Sequence, residues 1–227
     1  MHAQAKKAEL LRSLGQVVRG LSVLFWSLPV TLLVCVKTAS SELLTPFGIV
    51  PPLIATASLA YGLWQLSGFQ KQERVWSQIL DRTKLLSVAN VGLSPFVFWW
   101  HALPQEPLYQ VALGILMVSS LLFLFNLNQV MLRLSLMLPD ETLRLETQFF
   151  TALNLRLLVA LVMAAAGFLA LQQVNALPEI LIQILLVLEA IKHLVLVFLI
   201  LLPLAMTMTM IWKIKEAILL SVFEGQD

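Results

Sequence analysis

The run PEILIQILLVLEAIKHLVLVFLILLPLAMTMTMIWKIK, from Pro178 to Lys215, decides the class of the fold. It is the longest apolar stretch in the chain, and it encloses three ionisable residues, Glu189, Lys192 and His193. Wound as one helix at 1.5 Å per residue, Pro178 to Trp212 extends roughly 50 Å, against about 30 Å for the hydrocarbon core of a bilayer. The helix must therefore tilt, protrude or bend. Pro203, with no amide hydrogen and a ring that crowds the preceding turn, is the expected bending point. Counting back from the Trp212–Lys213–Lys215 border through a tilted span of about 25 residues places Glu189 one or two turns inside the far face. A span that starts at Pro178 would instead put the three polar residues near the midplane. Trp and Lys mark an interface more firmly than a Pro-Glu pair, which favours the first frame.

The rest of the chain has the same character. Of 227 residues, 59% are hydrophobic and only 12% charged, with a mean hydropathy of +0.87. A soluble domain carries about twice that share of charge. Apolar runs recur at about 18–36, 48–68, 85–103, 109–131, 155–173 and 180–212, and each is read as a membrane span. Every Lys and Arg except Lys37 and Lys192 falls in four segments: residues 1–19, 70–84, 132–156 and the tail after Trp212. Cations stay on the cytoplasmic side of insertion, so the expectation is both termini inside and three hairpins joined by short outer connections at Thr38–Pro46, Pro104–Leu108 and Val174–Pro178. The fold class read from this is all-α: a polytopic membrane helix bundle of about six spans, with residues 1–227 forming a single transmembrane domain. The expected location is the cell membrane, the inner membrane if the source is bacterial. The first span lacks a small-residue cleavage pattern and is read as a retained span.

Between the spans, Gln70–Lys84 sets Val75, Trp76, Ile79 and Leu80 at helical spacing with charges opposite, the pattern of a short helix lying in the headgroup layer. Met137–Phe150 breaks at Pro139. Asp140 is placed to cap a new helix, with Glu141 in its first turn and Arg144 within pairing reach. This loop is the expected docking surface for other membrane subunits, alongside the helix faces. In the fifth span, Ala160, Ala164, Gly167 and Ala170 predict a close-packed face and a central helix, and Ser58 and Gly62 predict a smaller one in the second. LLSVAN (Leu85–Asn90) echoes FFTALN (Phe149–Asn154), and both open a span after a charged loop.

Two groups of residues are candidates for chemistry. Glu189 reaches Lys192 and His193 at i+3 and i+4 on one helical face, an intramembrane polar cluster suited either to an ion pair that fixes helix depth or to a proton relay. Asn90, Asn126, Asn128, Asn154, Thr207 and Thr209 all approach the inner ends of spans and are expected to form an inner-face polar layer, either as interhelical glue or as a vestibule. Ser94, after Gly92-Leu93, with a distant His193, would be the only nucleophile–base pairing. Pro95 follows the serine, and no oxyanion donors accompany it. His101 ends an aromatic belt, Phe98-Trp99-Trp100, without a second histidine at metal spacing. The net charge of +2 argues against nucleic acid, and no cofactor, metal or phosphate-loop pattern is visible. The partners implied are the lipid bilayer and other membrane-protein subunits. The expected function is a non-catalytic scaffold, accessory subunit or assembly factor. A small ion- or proton-coupled transporter or channel is the alternative, and an intramembrane hydrolase a remote one.

Overall fold

The computed structural model describes the backbone of residues 2–69, 73–138, 140–172 and 179–224, and the side chains of 12–69, 73–138, 140–163, 166–167, 197–198, 200 and 201–220. The fold is all-helical, and no strand occurs among the described residues. The helices are α1 (His2–Ser40), α2 (Val50–Leu66), α3 (Arg74–Leu93), α4 (Pro95–Ala102), α5 (Pro107–Leu136), α6 (Glu141–Gln172) and α7 (Glu179–Glu224), with a short 3-10 helix at Glu42–Phe47. Three stretches are long and apolar enough to cross a membrane among the described residues: Arg12–Ser40, Pro107–Leu136 and Glu141–Met163.

Helix boundaries follow local chemistry. Pro51 and Pro52, Pro95 and Pro107 stand in the first turns of α2, α4 and α5, where the missing N–H costs nothing. Asp140 caps α6: its Oδ1 accepts from the amides of Thr142 and Leu143 at 3.0 and 3.1 Å and from the Thr142 hydroxyl at 2.7 Å. Gly48, at φ 59°, takes the left-handed turn between the 3-10 helix and α2, a conformation that costs other residues strain.

The six long helices close a ring in the order α1–α2–α3–α5–α6–α7 and back to α1, with α5 also touching α7 and α4 bridging α1 and α5. Two antiparallel pairs within it are in register from their ends. Glu73, at the start of α3, pairs with Arg133 near the end of α5. Counting antiparallel from that anchor brings buried residues of the two helices to matching depths: Trp76 and Val130, Leu80 and Leu127, Ser87 and Ser119, Asn90 and Leu116. The α6–α7 pair is likewise antiparallel, with Glu146 paired to Lys213 and Asn154 bonded to Thr207. The hydrophobic core sits at this charged end, joining Leu21, Leu63, Trp76, Met131, Leu143 and Ile214 among others. Toward the other end large apolar residues face outward: Leu43 is 73% exposed and Leu108 66%.

Several local expectations change. The Gln70–Lys84 stretch is no separate surface helix. From Arg74 onward it is the first half of α3, and Trp76 (1% exposed) and Leu80 are buried in the protein core, with the Phe69 ring 6.1 Å from Trp76. An amphipathic face fits protein and lipid equally well, and here α5 covers it. In Met137–Phe150, by contrast, the helix expected after Asp140 is present: α6 begins at Glu141. The third span is broken at Ser94–Pro95 into α3 and α4. Among the described residues the fifth-span helix packs on α5 and α7, Ala160 and Gly167 are exposed, and the side chains of Ala164 and Ala170 lie outside the described residues. Its buried face is Leu143, Thr147, Thr151, Asn154, Leu158 and Leu161. Burial is decided by what the partner helix can match, and α7 matches the polar stripe.

The closest backbone approach is between α1 and α2. A Cβ on Gly20 would lie 2.8 Å from the Gly62 carbonyl oxygen, and one on Gly62 would lie 2.8 Å from Leu24 Cγ. Gly62 therefore serves a crossing with α1, whereas Ser58 bonds its own helix at the Ala55 carbonyl. Thr31 donates across the same interface to the Ala55 carbonyl at 2.8 Å. Gly20→Ala should destabilise the bundle by about 1–3 kcal/mol, because backbone must move. Gly15→Ala, with open space around it, should be neutral or mildly stabilising. Thermal melts of the two variants in one detergent check this ordering.

Candidate functional site

The polar site lies where α5, α6 and α7 meet. Asn154 and Thr207 are fully buried and Asn128 is 1% exposed. The Asn154 amide donates to the Thr207 hydroxyl at 3.0 Å and to the Pro203 carbonyl at 3.2 Å. The Thr207 hydroxyl lies 2.8 Å from the Pro203 carbonyl and 3.2 Å from Asn128 Oδ1, and its single hydrogen serves one of them at a time. The Asn128 amide donates to the Leu124 carbonyl at 2.8 Å. The node gathers on the Pro203 carbonyl, which accepts from side chains of both α6 and α7. Two acceptors stay open: Asn154 Oδ1 and the Thr151 hydroxyl are buried and have no hydrogen-bond partner.

The structure divides the six residues expected to form one layer. Asn128, Asn154 and Thr207 come together. Asn126 and Thr209 turn to carbonyls of their own helices, Leu122 at 2.8 Å and Ala205 at 2.9 Å. Asn90 lies at another depth: it stands opposite Leu116, about three turns or 18 Å along α5 from Asn128. Its Oδ1 is buried without a partner, and nearby Ser94 accepts from Thr56 at 3.2 Å.

The side chains of Glu189, Lys192 and His193 lie outside the described residues; their backbone belongs to α7. Ser94 is fully buried, and its hydroxyl donates to the Val91 carbonyl at 2.9 Å. His101 joins α4 to the end of α1, with Nδ1 3.1 Å from the Ala39 carbonyl. No group of three His, Cys, Asp or Glu residues converges among the described residues.

At the charged end, Glu73–Arg133 ties α3 to α5 and Glu146–Lys213 ties α6 to α7, while the Lys213 ammonium lies 5.8 Å from the Phe150 ring centre. The exposed Asp140 carboxyl is held below the ordinary carboxylate range by the Thr142 hydroxyl and then the Leu143 amide. A lowered pKa means that this cap contributes above the unfolded-state pKa and fades as pH falls through the folded-state value.

Thr151 and the ion-pair anchors were not singled out from sequence. A signal for Thr151 was present: Thr83–Ser87–Asn90 and Thr147–Thr151–Asn154 share one spacing, and the LLSVAN/FFTALN echo is its visible part. In both helices those residues are the buried ones. Comparison with known families, with characterised proteins and with solved structures finds no match.

Two outcomes follow from this geometry. A double-mutant cycle of Asn154→Ala and Thr207→Val should return a coupling of about 0.6–1.7 kcal/mol, the range for hydrogen bonds between membrane helices, read by denaturant unfolding in micelles. Asp140→Ala should lower the melting temperature at neutral pH, and the gap to wild type should begin to close only as pH falls below the ordinary carboxylate range.

Proposed function

We propose that this chain is a six-span integral membrane scaffold, an accessory subunit or assembly factor of a membrane complex, with both termini in the cytoplasm. One observation carries the reading: a subset of the buried polar groups braces one helix against another. Asn154, Thr207 and Asn128 join three helices, Thr31 joins α1 to α2, and Thr56 meets Ser94 between α2 and the α3–α4 break. Such bonds are the usual glue of membrane bundles. The six-span count draws support from six long helices closing a ring, and the orientation from cations gathered at one end. At 46 residues α7 is about 69 Å long, more than a bilayer holds, so the charged end stands clear of the hydrocarbon. The exposed Arg144 and Glu141 at the start of α6 offer the docking surface there.

A second reading rests on a separate observation. Asn154 Oδ1 and the Thr151 hydroxyl are open acceptors beside a proline-interrupted helix, the setting in which transporters hold ions. A small ion- or proton-coupled transporter would use them together with Glu189, Lys192 and His193.

Mild-detergent purification with identification of co-purifying chains separates the two. The scaffold reading expects a stable hetero-complex and no proton flux in vesicles. Glu189→Gln should then reduce stability or assembly. A folded Glu189→Gln chain that has lost a flux the wild type shows would establish the transporter instead. Reporter tags at the two ends should both face the cytoplasm; opposite sides would break the six-span layout.

A further inference from the structure

We propose that the groove between α3 and α5 binds one anionic phospholipid, with Arg82 at the headgroup and the acyl chain lying along α5. The inference rests on the membrane reading above. The groove has a volume of about 430 Å³, and its walls include Leu86, Val111, Gly114, Val118 and Leu122. Gly114 leaves open space there, with nothing within 4 Å of where a Cβ would stand. Ser119 lines the floor; it is 8% exposed, and its hydroxyl has no hydrogen-bond partner.

The groove's charged-end mouth indicates the occupant. Arg82 lies four residues before Leu86, on the same flank of α3 and one turn nearer the charged end. It is exposed and joins none of the ion pairs among the described residues. On α5, Asn126 stands four residues after Leu122, again one turn toward the charged end, and is half-exposed. A cation and an amide at the mouth of an apolar trough match a phosphodiester with its acyl chain, the arrangement of basic lipid-headgroup sites between membrane helices. A second copy of the chain fits less well. Copies inserted in the same orientation pair about an axis normal to the membrane, which sets the two Arg82 side chains at one depth, like charge beside like charge.

The test reconstitutes the full chain in vesicles of equal phosphatidylcholine and phosphatidylglycerol, extracts it in mild detergent, and counts retained lipid by native mass spectrometry. Wild type should keep a single phosphatidylglycerol, preferred about fivefold over phosphatidylcholine, the effect of one cation at an anionic headgroup. Arg82→Gln should erase the preference, and Gly114→Phe should fill the trough and abolish retention, both with unchanged helicity. Should Gly114→Phe misfold, Arg82→Gln still decides. An Arg82→Gln chain with the wild-type preference would overturn the proposal. So would efficient disulfide dimerisation of Val118→Cys, in a Cys35→Ser background, within the vesicles, which would place a second copy in the groove. A wild-type chain that stays dispersed in water without detergent would overturn the membrane reading itself, and this proposal with it.

Discussion

Charge cannot follow the helices into hydrocarbon, and the architecture depends on that constraint. Arg133, Lys213 and their carboxylate partners sit at one end of the ring, and each pair locks two antiparallel helices at a chosen register. Once the ends are fixed, the spacing of three and four residues carries the match down the helices. An antiparallel count then brings Trp76 level with Val130, and on the other pair Asn154 bonds Thr207. The best-packed core gathers where the charges are, because only there can water drive apolar burial. In the other half, lipid is as good a neighbour as leucine, and residues such as Leu43 and Leu108 stay outward.

The Asn128–Asn154–Thr207 node follows from the same logic applied to hydrogen bonds. The Pro203 carbonyl of α7 accepts from Thr207 of the same helix and Asn154 of α6, and the Thr207 hydroxyl meets Asn128 of α5. The node satisfies most of its atoms and leaves two acceptors open. That remainder separates a purely structural joint from one with room for a polar guest. The repeated Thr–Ser/Thr–Asn stripe on α3 and α6 adds a second point. The two hairpins place the same polar face inward, yet α5 answers Asn90 with Leu116 while α7 answers Asn154 with Thr207.

Much of this was legible in the chain itself. Apolar runs separated by charged segments specify helices, because an exposed backbone in hydrocarbon has no other way to bond itself. Asp140 before Glu141 marks a helix start because a carboxylate can take the first free amides. Pro51 and Pro52 suit the first turn of α2, whereas Pro95 stood inside a span read as continuous and marks the break before α4. Individual side chains announced their polarity, so Asn154 and Thr207 stood out among apolar neighbours. Partnership was not legible. Asn126 and Asn128 differ by two residues, about 200° around a helix, and only the placement of α7 makes one a structural joint and the other an outward amide.

Composition and periodicity alone were therefore enough for the all-helical class and the segregation of charge, since each depends on a residue and its near neighbours; the helix ends were not, because α3 runs on from the stretch read as a surface helix and breaks from α4 at Ser94–Pro95. Which faces meet depended on the assembled bundle. An amphipathic stripe such as Val75–Leu80 is equally content against lipid or protein, and a small-residue stripe such as Ala160–Gly167 can be buried or bare. Long-range register settled both cases: α5 covered Trp76 and Leu80, and α7 took the Thr147–Asn154 side of α6, leaving Ala160 and Gly167 outside.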